Sequence, residues 1–249
     1  MKKVYGLIGQ TLSHSFSKNY FSKKFQEENI EDCVYELFEI QSIDEFPDLL
    51  KKNPSIAGLN VTIPYKEQVL PYVHKLDISA SKVGAINVIK VKADGILEGY
   101  NSDYYGFKKS LEDWLPKGYG HLKAMVLGTG GSSKAVTAAL ADLNIDCISV
   151  SRKPSSSTID YATVQEHLEI LHEYRLIINT TPVGMYPHTD QTPDIDFSNI
   201  SRHHLLFDLI YNPIETKFLS IGKNKGAKIK NGLEMLHLQA EKSWEIWNT

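Results

Sequence analysis

Met125-Val126-Leu127-Gly128-Thr129-Gly130-Gly131-Ser132-Ser133-Lys134-Ala135 runs from an apolar, strand-like segment through a glycine turn into a helix of small residues. In that order, backbone N–H groups and a helix N-terminus face an anion, which suits the pyrophosphate of a dinucleotide in a doubly wound α/β domain. A tight structural turn can use the same glycines, so the surroundings decide. Ser133 stands where a third glycine is usual, which is expected to widen the helix-to-sheet packing slightly. About 20 residues further on, where an NAD site places Asp or Glu on the ribose hydroxyls, the chain has Ser151-Arg152-Lys153. A guanidinium pairs with phosphate oxygens and an acid repels them, so this triplet suits a ribose 2′-phosphate. The competing reading is a solvated basic turn. NADP is expected rather than NAD, with Gly128, Thr129, Gly130, Gly131, Ser132, Ser151, Arg152 and Lys153 as its contacts.

Outward from this turn the chain alternates β-rich and helical segments, the pattern of βαβ units and a largely parallel sheet. Ahead of it, strands are expected over 4–8, 33–40 and 56–62, with helices over 17–28, 43–52 and 66–73. A hairpin turning at Asp94-Gly95 is expected within 85–100, and a helix over 104–114. Beyond it, strands are expected over 124–127, 146–151, 176–179, 205–210 and 227–230. A last helix, 233–247, carries an apolar stripe at 233, 236, 240, 244 and 247. Ser155 to Thr158, after Pro154, reads as a mobile loop. At 249 residues the chain is long for one domain. We expect an N-terminal α/β domain over 1–103, completed by a C-terminal helix over 233–249, and a Rossmann-like domain over 104–232.

The first half holds the other informative stretch, Gly58-Leu59-Asn60-Val61-Thr62-Ile63-Pro64-Tyr65-Lys66, which passes from an apolar strand to amide, hydroxyl and ammonium groups within a few residues. Lys66 is a candidate proton donor or acceptor. An exposed lysine opening a helix is the bland alternative, and the helix dipole disfavours a cation there. Ser15 and Ser17 alternate on a loop, where two hydroxyls can face one carboxylate or one of them can cap a helix. Thr62, Asn87, Tyr211 and Gln239 offer neutral donors and acceptors of the kind that orient a polyhydroxylated ring.

Composition restricts the partners. Hydrophobic residues make up 42%, charged residues 23% and the net charge is −3 with no basic block, which excludes an electrostatic footprint for nucleic acid or anionic lipid. Lys2 and Lys3 precede an apolar run too short for a signal peptide, and no stretch is long enough to span a bilayer. Cys33 and Cys147, each among apolar neighbours, read as buried small hydrophobes and not as a disulfide or metal ligands. A cytoplasmic protein with a small-molecule substrate and no metal is expected.

The order of motifs resembles the shikimate 5-dehydrogenases, reductases of 3-dehydroshikimate, over nearly the whole chain. The blocks are Gly9 to Ser17 with His14-Ser15-Phe16-Ser17, Asn60 to Lys66, Gly84-Ala85-Ile86-Asn87, Asn101-Ser102-Asp103, Asn179 to Met185, Asp208 to Pro213, and Gly232 to Leu236 followed by Gln239. The resemblance implies substrate contacts at Ser15, Ser17, Thr62, Asn87, Tyr211 and Gln239, and catalysis by Lys66 with Asp103 orienting its ammonium. It also adds Leu209 and Gly232 to the cofactor contacts. It further implies an active site in the interdomain cleft, a monomer or homodimer, and a place in aromatic amino-acid (chorismate) biosynthesis. Asn60 is expected to be a structural neighbour. The chain departs from the family pattern at Thr11, Lys18 and Tyr20, which bear on the serine loop, and Lys134 stands where arginine is frequent. A quinate-accepting dehydrogenase and a non-catalytic NADPH-binding module are the alternatives. The intact Lys66 and Asp103 weigh against the module.

Overall fold

The computed structural model describes every residue except Met1, Ser13, His14, Lys117 and Leu168. The chain divides into two compact units, one made of Met1–Ser102 with Ala240–Thr249, the other of Asp103–Gln239.

The first unit contains β1 (Lys3–Gly9), α1 (Phe16–Glu27), β2 (Cys33–Glu39), α2 (Phe46–Lys52), β3 (Ile56–Val61), α3 (Tyr65–Gln68), β4 (Lys75–Leu76), α4 (Ile78–Val83), β5 (Val88–Val91) and β6 (Leu97–Tyr100). Its sheet runs β2-β1-β3-β5-β6-β4. β1 is parallel to β2 and β3, whereas β5 runs antiparallel to both β3 and β6. Apolar residues face both sides of β1 and β3, as a doubly covered sheet requires. The single helix expected over 66–73 is instead α3 followed by a 3-10 turn, Leu70–Tyr72, because Pro71 lacks the N–H that would continue the ladder. The end of α10 (Leu233–Asn248) packs in this unit, where Trp247 stacks on Tyr5 at 4.8 Å and its indole donates to the Ile89 carbonyl at 3.1 Å. The buried positions on α10 are Met235, Ala240, Ser243, Ile246 and Trp247. No single stripe serves this helix, since Met235 belongs to the core of one unit and Ala240 onward to the core of the other.

The second unit contains α5 (Ser102–Trp114) from its second residue, β7 (Ala124–Leu127), α6 (Gly131–Asp142), β8 (Cys147–Val150), β9 (Thr158–Ile159), α7 (Tyr161–Glu166), α8 (Glu169–Glu173), β10 (Leu176–Asn179), β11 (Leu205–Asp208), α9 (Lys217–Asn224), β12 (Lys228–Lys230) and the start of α10. All pairings in its sheet, β12-β11-β10-β7-β8-β9, are parallel. Connections leave β7 in one direction through β8 and in the other through β10, which makes the β7/β10 boundary the topological switch point where such sheets bind ligands. The fold class is the expected one. The segment over 155–158 is not a free loop. The Ser155 N–H donates to the Thr158 hydroxyl at 2.9 Å, and Thr158–Ile159 forms a sixth, edge strand on β8. Of the two cysteines, Cys33 is buried as expected, but Cys147 is exposed on β8 because its strand is covered mainly at Val150. Both are free thiols.

Candidate active site

The first unit assembles its polar residues on one sheet edge. β1 and β3 both end there, β5 begins there because it runs opposite to β3, and β6 ends there because it runs opposite to β5. Backbone bonds fix the arrangement. The Thr62 N–H donates to Ile8 at 2.9 Å, Val61 to Asn87 at 2.9 Å, Asn87 to Tyr100 at 3.1 Å, and Ile86 to Lys66 at 2.7 Å. Thr62, Lys66 and Asn87 are thereby brought together, with the loop after β1 beside them. Lys66 is half-buried in the first turn of α3.

The serine loop is tied at both ends. The Leu12 N–H donates to Glu39 Oε1 at 2.7 Å, and Ser15 is the N-cap of α1, its hydroxyl accepting from the Lys18 N–H at 3.3 Å. The capping role expected of one serine falls to Ser15. Ser17 lies in the first turn of α1. His14 lies outside the described residues. Lys18 pairs with Glu36 at 3.3 Å, and Tyr20 donates to Glu241 on α10. The departures from the family pattern at 18 and 20 therefore have partners within this unit.

Beneath the edge lies a chain of buried polar groups. Tyr35 donates to Asn60 Oδ1 at 2.8 Å, Asn60 Nδ2 donates to the Asn87 carbonyl at 3.2 Å and to Ser243 Oγ at 3.0 Å, and Ser243 meets Ser102 Oγ at 3.2 Å. Ser102 in turn holds Asn87 through two bonds: its N–H donates to Oδ1 at 2.6 Å and its hydroxyl accepts from Nδ2 at 3.1 Å. Asn60 is the structural residue expected of it. Tyr35 and Ser243 carry no sequence signal. They belong to no local motif and come from opposite ends of the chain.

In the second unit the glycine turn sits at the switch point. Gly128 adopts φ +106°, and a Cβ there would come within 2.8 Å of the Thr180 hydroxyl and 2.9 Å of the Thr181 methyl, so only glycine lets these loops meet. The Ser133 hydroxyl donates to the Gly128 carbonyl at 2.8 Å, a clasp that a third glycine could not make. Gly130 caps α6 with no side chain on the first N–H groups, and the space where its Cβ would point is open within 4 Å. Bare amides at the start of a twelve-residue helix, with Gly131 and Ser132 opening its first turn, form a seat for an anion. One strand over, the Ser151 hydroxyl accepts from the Lys153 N–H at 3.2 Å. Arg152 and Lys153 are exposed, and among the described residues neither forms an ion pair. This donor set fits a dinucleotide carrying an additional phosphate.

Asp208, fully buried at the end of β11, holds the neighbouring loops. Its Oδ1 accepts from Asn179 Nδ2 at 3.1 Å and from the Ile210 N–H at 3.0 Å, and its Oδ2 accepts from the Thr216 hydroxyl at 2.6 Å. Burial pushes its carboxyl up to about 6 against these three donors. Asn179 Oδ1 then receives the Thr181 N–H at 3.0 Å and hydroxyl at 2.7 Å. Leu209 and half-buried Tyr211 follow Asp208 directly, and burial raises the Tyr211 phenol. Gly232 lies against Leu209 so closely that any Cβ would land on the Leu209 carbonyl. Gln239 is half-buried on α10. Among the described residues there is no cluster of potential metal ligands, and no helix is long and apolar enough to cross a membrane.

Residues 7–89 match the family model for the shikimate dehydrogenase substrate binding domain. The chain is 43% identical to the NADP(+) shikimate dehydrogenase of Clostridium beijerinckii, over 98% of this chain and 92% of the relative. Its fold is similar to that of a chorismate mutase/shikimate 5-dehydrogenase fusion protein from Clostridium acetobutylicum, with a TM-score of 0.84, 35% identity and coverage of 100% and 92%. Shikimate 5-dehydrogenase from Thermus thermophilus, solved with NADP(H) and shikimate, superposes with a TM-score of 0.83 at 27% identity, covering 98% and 93%.

Proposed function

We propose, from the premise that the chain belongs to the shikimate dehydrogenase family, that it interconverts 3-dehydroshikimate and shikimate with NADP(H), as a cytoplasmic step of aromatic amino-acid biosynthesis. The observation that carries this reading is the sheet edge of the first unit, where Thr62, Lys66 and Asn87 converge beside the serine loop. It is supported by the bare start of α6 and the exposed cations Arg152 and Lys153.

The nicotinamide, when bound, exchanges a hydride with the carbon bearing the substrate oxygen. As that carbon is reduced, negative charge develops on its oxygen and must be neutralised. Lys66 supplies the proton, and in the reverse direction its amine receives one from the alcohol. Asp103, the second residue of α5, would orient the ammonium. Ser15 and Ser17 receive the carboxylate, while Thr62, Asn87, Tyr211 and Gln239 address the ring oxygens with neutral groups. Gly128 to Ser132 would hold the pyrophosphate and Arg152, Lys153 and Ser151 the 2′-phosphate, with Leu209 and Gly232 completing the cofactor contacts.

Initial rates followed at the absorbance of the reduced nicotinamide, with shikimate or quinate and with NADP+ or NAD+, test the assignment. Turnover is expected to be highest with shikimate and NADP+. Activity confined to quinate with NAD+ overturns it.

A further inference from the structure

The buried chain beneath the substrate edge does more than fill space. Its five members are Tyr35, Asn60, Ser243, Ser102 and Asn87, and all are at most 6% exposed. An apolar core would be the cheaper solution at such positions, since each buried polar group must find a partner or lose stability. Here each is satisfied, and the chain ends on Asn87, a residue assigned to the substrate.

The chemistry of the links fixes direction. The Ser102 backbone N–H can only donate, so the Asn87 atom facing it at 2.6 Å must be the carbonyl oxygen, and the amide cannot flip. Nδ2 then gives one hydrogen to Ser102 Oγ at 3.1 Å, and its second hydrogen has no protein acceptor among the described residues. Ser102 Oγ is itself held by Ser243 Oγ at 3.2 Å, and Ser243 Oγ receives the Asn60 amide at 3.0 Å. At the opposite end, Tyr35 commits its hydrogen to Asn60 Oδ1 at 2.8 Å, which fixes the orientation of the Asn60 amide.

We propose that Tyr35 and Ser243 are positioning residues for substrate recognition. Through Asn60 and Ser102 they lock Asn87 as a hydrogen-bond donor before substrate arrives. Ser243 lies on the last turns of α10, one turn beyond Gln239, so this part of the C-terminal helix supports the substrate site without itself touching the ligand. The inference rests on the assignment of Asn87 to the substrate.

The test is a set of double-mutant cycles on the full chain, reading KM for shikimate, KM for NADP+ and kcat. Tyr35→Phe and Ser243→Ala are each expected to raise KM for shikimate about 3- to 10-fold while leaving KM for NADP+ unchanged. A general loss of folding would move both constants. In the pairs Asn87→Ala with Tyr35→Phe, and Asn87→Ala with Ser243→Ala, the combined loss should match the larger single loss, because the second change removes support from a group already gone. Additive losses, or an unchanged KM for shikimate in both Tyr35→Phe and Ser243→Ala, overturn the proposal. If Asn87→Ala itself leaves that KM unchanged, the substrate assignment fails and takes the proposal with it. Tyr35→Phe and Ser243→Ala are read separately, so a variant that does not fold leaves the other to decide.

Discussion

The two units hold their functional residues by opposite means. In Met1–Ser102 with Ala240–Thr249, the substrate edge is specified by side chains, with serines, asparagines and a tyrosine joined below the surface so that a few polar atoms point outward. In Asp103–Gln239, the cofactor turn is specified mainly by backbone: a positive φ at Gly128, bare helix amides after Gly130, and a contact at Gly232 that no Cβ permits. A site built from side chains loses function one atom at a time. A site built from backbone loses it when a side chain is added.

Lys66→Ala gives the largest expected effect on the side-chain half. Removing a general acid typically costs about 10²- to 10⁴-fold, or roughly 3–5 kcal/mol of barrier, so kcat should fall by that much while KM for shikimate stays within a few-fold. Steady-state rates of the variant decide it, and near-normal turnover removes Lys66 from the chemistry. Gly232→Ala should invert the pattern. The added methyl must displace the Leu209 backbone, and overpacking of this kind costs about 1–3 kcal/mol. Lower stability to denaturant together with a raised KM for NADP+ is the expected result, and a variant unchanged in both would mean that the loop yields freely. Arg152→Ala comes next. It should weaken NADP+ about tenfold and leave NAD+ unaffected, since one charge-assisted contact is lost only with the 2′-phosphate. Equal losses for the two cofactors would place Arg152 elsewhere than on that phosphate.

The same contrast explains what the sequence makes legible. Backbone-specified features announce themselves locally, which is why the strand before Gly128, the turn and the helix after it are found where the residues place them. The strands Ala124–Leu127 and Leu176–Asn179 fall on their expected bounds because each is built on a continuous apolar run, 124–127 and 176–178. The Ser155 to Thr158 stretch misleads because its composition is that of a loop, while its edge-strand pairing depends on β8. Helix α10 misleads because its two halves pack in different cores, which a single periodicity cannot express. Most hidden is the polar chain below the substrate edge. Tyr35 reads as an ordinary strand residue and Ser243 as an ordinary helix residue until the fold sets both on Asn60.

The smallest expected effect concerns pH, and it sharpens the contrast because both groups responsible lie in the second unit. Asp208 has its carboxyl pushed up to about 6 from an ordinary value of 3.8, so between those values the folded chain holds a proton that the unfolded chain has released. Its contribution to stability is therefore present below about pH 4 and is lost as pH rises through 6. His204 acts in reverse. Buried, with Nε2 on the Leu171 carbonyl at 2.9 Å and Nδ1 accepting from the Ser201 N–H at 3.1 Å, it is held neutral by burial and its pKa is lowered. Its contribution is present above the unfolded value of 6.5 and is lost as pH falls. Across pH 4 to 6.5 the two slopes oppose, so the intact protein should show a shallow dependence. Asp208→Asn keeps an oxygen for Asn179 and Ile210 and an amide for the Thr216 oxygen, yet removes the titration. It should expose a clear loss of stability on acidification, whereas His204→Gln should expose a gain. Denaturant midpoints measured from pH 4 to 7.5 read both slopes. If Asp208→Asn keeps the shallow profile of the intact protein, the buried carboxylate is not what offsets the histidine.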